Sequence, residues 1–349
     1  MSNHLTADPF LDREWSIDEL SHMMLEVPNI YTMITQLGIF GDPIPLPNRY
    51  VGIEIQGMTL NLLQTTQWGG PATKGAVGKR KRHLFEIPHT AHEDMVTGAE
   101  LQDLRAFGSR AAMMFEDLVG RKLSTMAIKH YLTHEWRRIG ALKGVILDAD
   151  GSTLYNLFTI FGVTQEEVDF STGGWNQNLR DTDRYLETNL NGDRMTGTAY
   201  ICSTQFMDAL LEDTDIKASY NAAAAMMRQN PNIDDVRKMF IHQNKVFMEY
   251  NATFPVLNAD GTSTTVKAVE DGEAIIFPLG TIDSAACYAS PADFIDTVNT
   301  PGLLMYARER FAGQAGGSDG YNRNREFHTQ SNFLPLWRRP KLLVKGSIN

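Results

Sequence analysis

An α+β fold follows from three features of this sequence. Ser109–Lys143 keeps helical period for thirty-odd residues without a proline. Segments that alternate apolar and polar residues with period two stand on both sides of it in chain order. They include RYVGIEIQ from Arg49, VFMEYNATF from Val246 and LLMYARERF from Leu303, and EAIIFPL from Glu273 reads as a short, very apolar strand. A helix of that length needs a sheet or other helices laid along it, and the flanking strands supply partners.

Within the long helix, Phe115, Val119, Leu123 and Met126 recur every three or four residues. Ile128, Leu132, Trp136 and Ile139 form a second row beside them, giving a broad apolar face. Asp117 and Arg121 are spaced for an i,i+4 ion pair. Gly144 stands where a left-handed cap is expected. At 1.5 Å per residue the helix spans roughly 50 Å. Gly120 and Gly140 are possible kink points, each costing about 1 kcal/mol in a helix interior.

The 349 residues carry a net charge of −10, which argues against a dedicated DNA-binding protein. Cys202 and Cys287 are the only cysteines, and they read as buried small hydrophobes. No basic-then-apolar leader and no membrane-length apolar run is found, so the expected setting is cytoplasmic and reducing. The length allows two domains.

Residues 1–47 read as an arm with a short helix near Asp18–Val27. The prolines at 43, 45 and 47 then imply extended backbone without ladder hydrogen bonds. Residues 48–92 read as a long hairpin, with strands at Arg49–Gln56, Thr59–Thr66 and His83–Pro88. Its glycine-rich tip carries Lys74, Lys79, Arg80, Lys81 and Arg82 and no acid. That run fits a solvated loop, a phosphate contact, or docking on an acidic face of a neighbouring subunit. The net negative remainder favours docking. Thr97 and Glu100 have capping-box spacing and start a helix over Ala99–Phe107.

After the long helix, VILDADGSTLYNLF reads as two strands joined by Ala149, Asp150 and Gly151. Its Asp-x-Asp-Gly is turn chemistry, because position twelve is Thr159 where a calcium loop needs Glu. A strand at Glu167–Phe170 and a helix at Asn176–Leu190 follow. From Thr196 comes a strand, a serine-capped helix, a second helix over Asp215–Arg228 and further strands, as in a compact domain of roughly 100 residues. In the tail, REFHTQSNFLPLW and a buried strand at Leu342–Val344 close the chain.

No catalytic constellation stands out. HEWRR at His134 lacks the second histidine of a zinc-protease helix, and His89 and His92 have no third ligand beside them. No nucleophile elbow or phosphate loop is found. The expectation is a structural protein with no cofactor, no metal and no membrane partner.

Seven stretches in order carry a resemblance. They are FEIPHTAHEDMVTGAELQDLRAFG from Phe85, the long helix, LYNLFTIFGV from Leu154, VFMEYNATF, AIIFPLGT from Ala274, YASPADFIDTVNTPGLLMYARERF from Tyr288, and QSNFLPLWRRPKLLV from Gln330. Together the chain resembles the lambda capsid protein E family of tailed-bacteriophage major capsid proteins, a branch with the Hong Kong 97 fold. The resemblance implies an N-terminal arm (1–47), an E-loop hairpin (48–92), a P-domain with a spine helix (93–195), an A-domain (196–294), and return strands of the P-domain (295–349). It implies hexamers and pentamers closing into an icosahedral shell around double-stranded DNA, and hence a place in the virion after assembly in the host cytoplasm. The E-loop, with Lys74, Lys79, Arg80, Lys81 and Arg82, is expected to lie over the adjacent subunit. A separate scaffold or protease, a portal protein, a decoration protein and non-specific contact with packaged DNA are the partners implied. An encapsulin-like cellular compartment and a cytoplasmic enzyme are the alternatives.

Overall fold

The computed structural model describes residues 16–26, 33–56, 80–100, 111–172, 174–228, 240–257, 262–311 and 324–348. The expected strand at 59–66, the far end of the helix from 99, the Asn-Pro stop at 230–231 and the glycine-rich loop after 311 lie outside them. The first strands are β1 (Ile44–Pro45), β2 (Tyr50–Gln56), β3 (Arg80–Glu86) and β4 (His89–Thr97). The long helix occupies Ala111–Lys143. Then come β5 (Val145–Leu147), β6 (Thr153–Asn156), β7 (Glu166–Asp169), β8 (Gly197–Cys202), β9 (Phe240–His242) and β10 (Lys245–Glu249). The last are β11 (Thr253–Leu257), β12 (Ser263–Lys267), β13 (Glu273–Leu279), β14 (Ala285–Ala289), β15 (Tyr306–Phe311), β16 (Asn324–Trp337) and β17 (Val344–Ser347).

The chain forms two compact units. The first comprises residues 1–51, 86–135 and 287–334, and the second 52–85, 136–286 and 335–349. The first unit is built on β16, which pairs antiparallel with β15 and with β4. Its apolar cluster joins Val119, Leu123, Met126 and Tyr131 of the long helix to Val96, Met305, Ala307 and Phe327. The helix Ile17–Leu25 closes that cluster with Leu20 and Met24. It starts with a capping box between Ser16 and Glu19. Its Ser21 hydroxyl accepts a 3.1 Å bond from the Ala307 N–H of β15.

Beside this apolar ridge runs a buried polar seam. His130 Nε2 lies 3.0 Å from the Thr329 hydroxyl, and His134 Nε2 lies 2.5 Å from that of Ser331. Thr329 donates its proton to the His92 carbonyl and Ser331 to the Leu304 carbonyl. Each hydroxyl therefore accepts from its histidine, and Nε2 carries the ring proton in both. Glu135, fully buried, accepts from the Ile34 N–H at 2.8 Å and the Thr35 hydroxyl at 3.0 Å, which fixes the short helix Met33–Gln36.

The second unit holds a six-stranded mixed sheet in the order β7-β17-β13-β8-β10-β9. Its two parallel pairings are β8 with β10 and β17 with β7. The helices Trp175–Asn189, Thr204–Glu212 and Thr214–Arg228 belong to this unit. Leu179, Leu186, Phe206, Leu210 and Ile216 from these helices pack with Tyr200, Phe247, Ile276 and Val344 of the strands. Lys245 is buried and binds the Asp183 carboxylate at 2.6 Å. Arg137, on the last turns of the long helix, is buried too. Burial lowers its pKa to about 10, and Asp148 at 4.0 Å opposes that shift. Cys202 and Cys287 are both buried and form no disulfide, and the Cys287 thiol donates to the Gly41 carbonyl at 3.4 Å.

Several sequence expectations are corrected. The proline-rich segment does join a ladder, because β1 pairs in parallel with β14. Prolines 43, 45 and 47 alternate, so their missing N–H groups share one edge. On the other edge Leu46 donates to Ala289 at 2.8 Å. Arg121 does not reach the Asp117 carboxylate; its Nε donates to the Asp117 carbonyl. The strand in TLYNLF stops at Asn156, whose side chain caps the helix Leu157–Phe161. Residues 89–97, read partly as hairpin, form β4, and the final strand begins only at Val344. The capping box at Thr97 and Glu100, the left-handed Gly144 and the Ala149–Gly151 turn stand as expected. Among the described residues no helix is long and apolar enough to cross a membrane.

The two interior glycines of the long helix differ. A Cβ at Gly140 would meet the Val145 carbonyl at 2.9 Å and the Ile146 Cα at 3.0 Å, whereas none of the atoms around Gly120 lies within 4 Å. Gly120→Ala should stabilise by about 1 kcal/mol through helix propensity. Gly140→Ala should destabilise by about 1–3 kcal/mol through overpacking. Denaturant unfolding of both variants checks this, and equal shifts would contradict it.

His92 gives a pH dependence. Burial lowers its pKa most, and the Lys129 ammonium, 2.9 Å from Nε2, adds to this; Asp94 and Glu93 act the other way. As pH falls, the unfolded chain protonates this histidine first. Its contribution is therefore whole above the ordinary value of 6.5 and is lost as pH falls through the lower folded value. Urea midpoints from pH 7.5 to 5 should decline less steeply for His92→Gln than for the unaltered chain; parallel curves would refute the assignment.

Candidate subunit-contact site

The hairpin singled out in the sequence is present as a two-stranded sheet of β2 and β3. Alternation decides its faces. Val51, Ile53 and Phe85 are buried, whereas Gly52, Glu54, Arg82 and Leu84 are exposed. On the buried face the Phe85 ring meets Tyr155 edge-on at 5.4 Å and stacks on Phe161 at 6.1 Å. His83 tilts against the same Phe161 ring at 5.0 Å. An aromatic clamp thus holds this pair of strands, which two strands alone could not do in water.

On the exposed face the Arg82 guanidinium lies flat over Gly52. A Cβ there would come within 2.6 Å of Arg82 Nε. Leu84 stands next to it, 62% exposed. At the base of the hairpin Arg49 pairs with Glu86 at 3.6 Å and lies over the Tyr50 ring. Both partners of that pair are largely in water, so it adds little stability. The Ile87 N–H donates to the Arg49 carbonyl at 2.8 Å, closing the base.

Of the basic residues expected at the contact, Arg80, Lys81 and Arg82 fall in β3, three residues earlier than the expected strand start. Lys81 and Arg82 are exposed. Lys74 and Lys79 lie outside the described residues. Sequence reading passed over Leu84. The signal was there in Leu84-Phe85, two adjacent apolar residues that an alternating strand must place on opposite faces. The histidine pair in the hairpin's neighbour β4 is engaged elsewhere: His89 bonds Asn332 at 2.8 Å and His92 bonds Lys129.

A strand pair with one clamped face and one exposed face that carries Leu84 among Arg82, Glu54 and Glu86 has the form of a contact surface. Comparison with known proteins says whose. The family described as phage major capsid protein E matches residues 16–348. The chain belongs to that family. The major capsid protein of Pseudomonas phage KPP10 is 25% identical over 355 residues, covering 97% of this chain and 98% of that protein. That of Salmonella phage Felix O1 is 22% identical, covering 93% and 94%. Among solved structures, the capsid of Ralstonia phage GP4 aligns with a TM-score of 0.52 at 11% identity, over all of this chain and 98% of that one. A prophage protein of E. coli CFT073 aligns with a TM-score of 0.57 at 11% identity, over 97% and 100%. The fold is the α+β Hong Kong 97 type, and this capsid protein is structural, not enzymatic.

Phe85 is the centre of the clamp. Phe85→Ala should cost about 3–5 kcal/mol, as for other buried rings. Urea unfolding followed by aromatic fluorescence measures it; a loss below about 1 kcal/mol would show that the hairpin is held by something other than the rings.

Proposed function

We propose that copies of this chain form hexamers and pentamers that close into the icosahedral shell of a tailed phage around double-stranded DNA. The observation that carries this is the family match across 16–348 of a 349-residue chain. It sets aside the cellular-compartment and enzyme alternatives. On this reading residues 1–47 are the N-terminal arm, 48–92 the E-loop, 93–195 the P-domain with its spine helix, 196–294 the A-domain and 295–349 the return strands. The last strand of that return segment, β17, pairs with β13 and β7, so the tail ties three sequence regions into one sheet. A separate scaffold or protease, a portal protein and a decoration protein are the assembly partners of this reading. Packaged DNA meets the inner face without sequence preference, and the net charge of −10 keeps that contact weak.

The mechanism is geometric. Heterologous contacts between copies close into rings, and rings into a shell. Electron microscopy of the purified protein, expressed alone and with its neighbouring genes, tests this. Closed icosahedral particles in either sample are expected; only small species in both would refute it.

Lys79, Arg80, Lys81 and Arg82 are the proposed contact with the adjacent subunit. Changing all four to Glu should reduce particle yield, and the deficit should be largest at low salt, where exposed charges are least screened. Unchanged yield at low salt would remove the docking role.

A further inference from the structure

The turn after β14 is tied to β16 by a hydrogen-bond chain whose direction follows from its first donor. The Asp293 N–H lies 2.7 Å from Oε1 of the buried Gln330 side chain. A backbone N–H can only donate, so that oxygen accepts. The NH2 end of the same amide lies 2.8 Å from Nε2 of His328, two residues earlier on β16. An amide NH2 can only donate, so Nε2 is the bare, accepting nitrogen of the ring. The ring proton is therefore on Nδ1, 2.7 Å from a carboxylate oxygen of Glu93 in β4. Asp293 thus donates to Gln330, Gln330 to His328 and His328 to Glu93. The middle link exists only while the imidazole is neutral.

What this chain of bonds holds is an exposed apolar turn. Ile295 is 90% exposed and Val298 62%, on either side of the buried Thr297, in a short helical turn over Ile295–Thr297. The Thr297 hydroxyl reaches the Ala292 and Phe294 carbonyls at 2.8 and 3.0 Å, and that of Thr300 reaches the Thr297 carbonyl at 2.7 Å. Those bonds are internal to the segment. Its far end is tied down where the Gly302 N–H donates to the Leu46 carbonyl at 3.0 Å, and its near end by Gln330. The Phe294 ring stands edge-on to His328 at 5.8 Å, with Arg308 at 5.3 Å.

A proton added to His328 breaks the middle link. Histidine is the side chain that ordinarily changes charge between pH 5 and 8. With both ring nitrogens protonated, the Nε2–H points at the Gln330 NH2, donor against donor. Turning the amide over satisfies the ring but sets the NH2 against the Asp293 N–H. Either way Asp293 loses its acceptor. Glu93 keeps its bond from Nδ1, now charge-assisted. The other charged groups on this face of the sheet are engaged with one another: Arg308, opposite His328 on β15, pairs with Asp296 at 3.2 Å, and Arg310 with Glu326 at 3.8 Å. Asp293 is exposed on the turn itself. His92 and its partner Lys129 belong to the other face of β4.

We propose that Gln330 and His328 form a pH-sensitive lock on the 293–298 turn, closed while His328 is neutral and released when it takes up a proton. The lock lies within one chain and stands whether or not copies assemble. Its hold is whole at the alkaline end and is lost as pH falls, because only the released turn accommodates the proton.

Hydrogen exchange of the purified full-length chain tests this, with rates corrected for the intrinsic effect of pH. Protection of 292–300 should fall about fivefold from pH 7.5 to 5.5, the order expected for one lost hydrogen bond, while β13 keeps its protection. His328→Gln has no proton to gain, so its turn should stay protected across that range. Gln330→Glu sets a carboxylate between the Asp293 N–H and the ring, able to accept from both. In that variant the turn should be held at least as firmly at pH 5.5 as at pH 7.5. Equal protection of 292–300 at both pH values in the unaltered chain would overturn the lock. So would a fall that persists in either variant while β13 is protected as in the unaltered chain.

Discussion

The first unit depends on the match between a helix turn and a strand repeat. His130 and His134 are four residues apart on the long helix, about 6 Å along its axis. Their partners Thr329 and Ser331 are two apart on β16, about 6.6 Å along the strand. The helix can therefore run along the strand and bury both imidazoles with each ring proton bonded to a hydroxyl. Sliding by one residue would turn Thr329 and Ser331 to the other face and leave both rings without these acceptors. Both hydroxyls also donate to backbone carbonyls, so the same seam fixes the backbone at His92 in β4 and at Leu304 ahead of β15. Glu135 extends it by binding residues 34 and 35.

Much of this architecture is legible in the sequence, for physical reasons. The long helix lacks proline and repeats its apolar residues at helical spacing. Gly144, at φ 79°, ends it as its position implies. Ala274–Leu279 is apolar throughout because β13 is an interior strand with neighbours on both edges. What sequence does not reveal is long-range pairing. Nothing local announces that His130 meets Thr329, or that Glu135 binds a backbone N–H a hundred residues earlier. Nor does anything local announce that His130, His134, Glu135, Arg137 and Arg138, in the later turns of the helix, are all buried. The PIPLP segment was misread for a subtler reason: proline bars pairing only on the edge its nitrogen faces. At the contact site the basic run was visible in composition, whereas the aromatic clamp of Phe85, Tyr155 and Phe161 needed three segments brought together by the fold.

The division of labour follows. Both sheets are finished within one chain: each has its own apolar cluster, and the buried Lys245 of the second is paired with Asp183. The β2–β3 pair and the turn at 293–298 are finished differently. Each has one side anchored and the other, bearing apolar and charged groups, left to solvent. On the proposed assembly, neighbours cover such surfaces, and association then adds to folding stability. Anchoring the surfaces beforehand keeps the ordering cost of association low.

The central claim is that the fold is complete before assembly and that its projecting surfaces are completed by neighbours. Hydrogen exchange on free subunits and on closed particles tests it most directly. The account predicts strong protection of β13 and β16 in both states, with protection gained on assembly in 80–86 and 293–298. Equal exchange of those two segments in both states would contradict it, as would a β16 that becomes protected only in the particle.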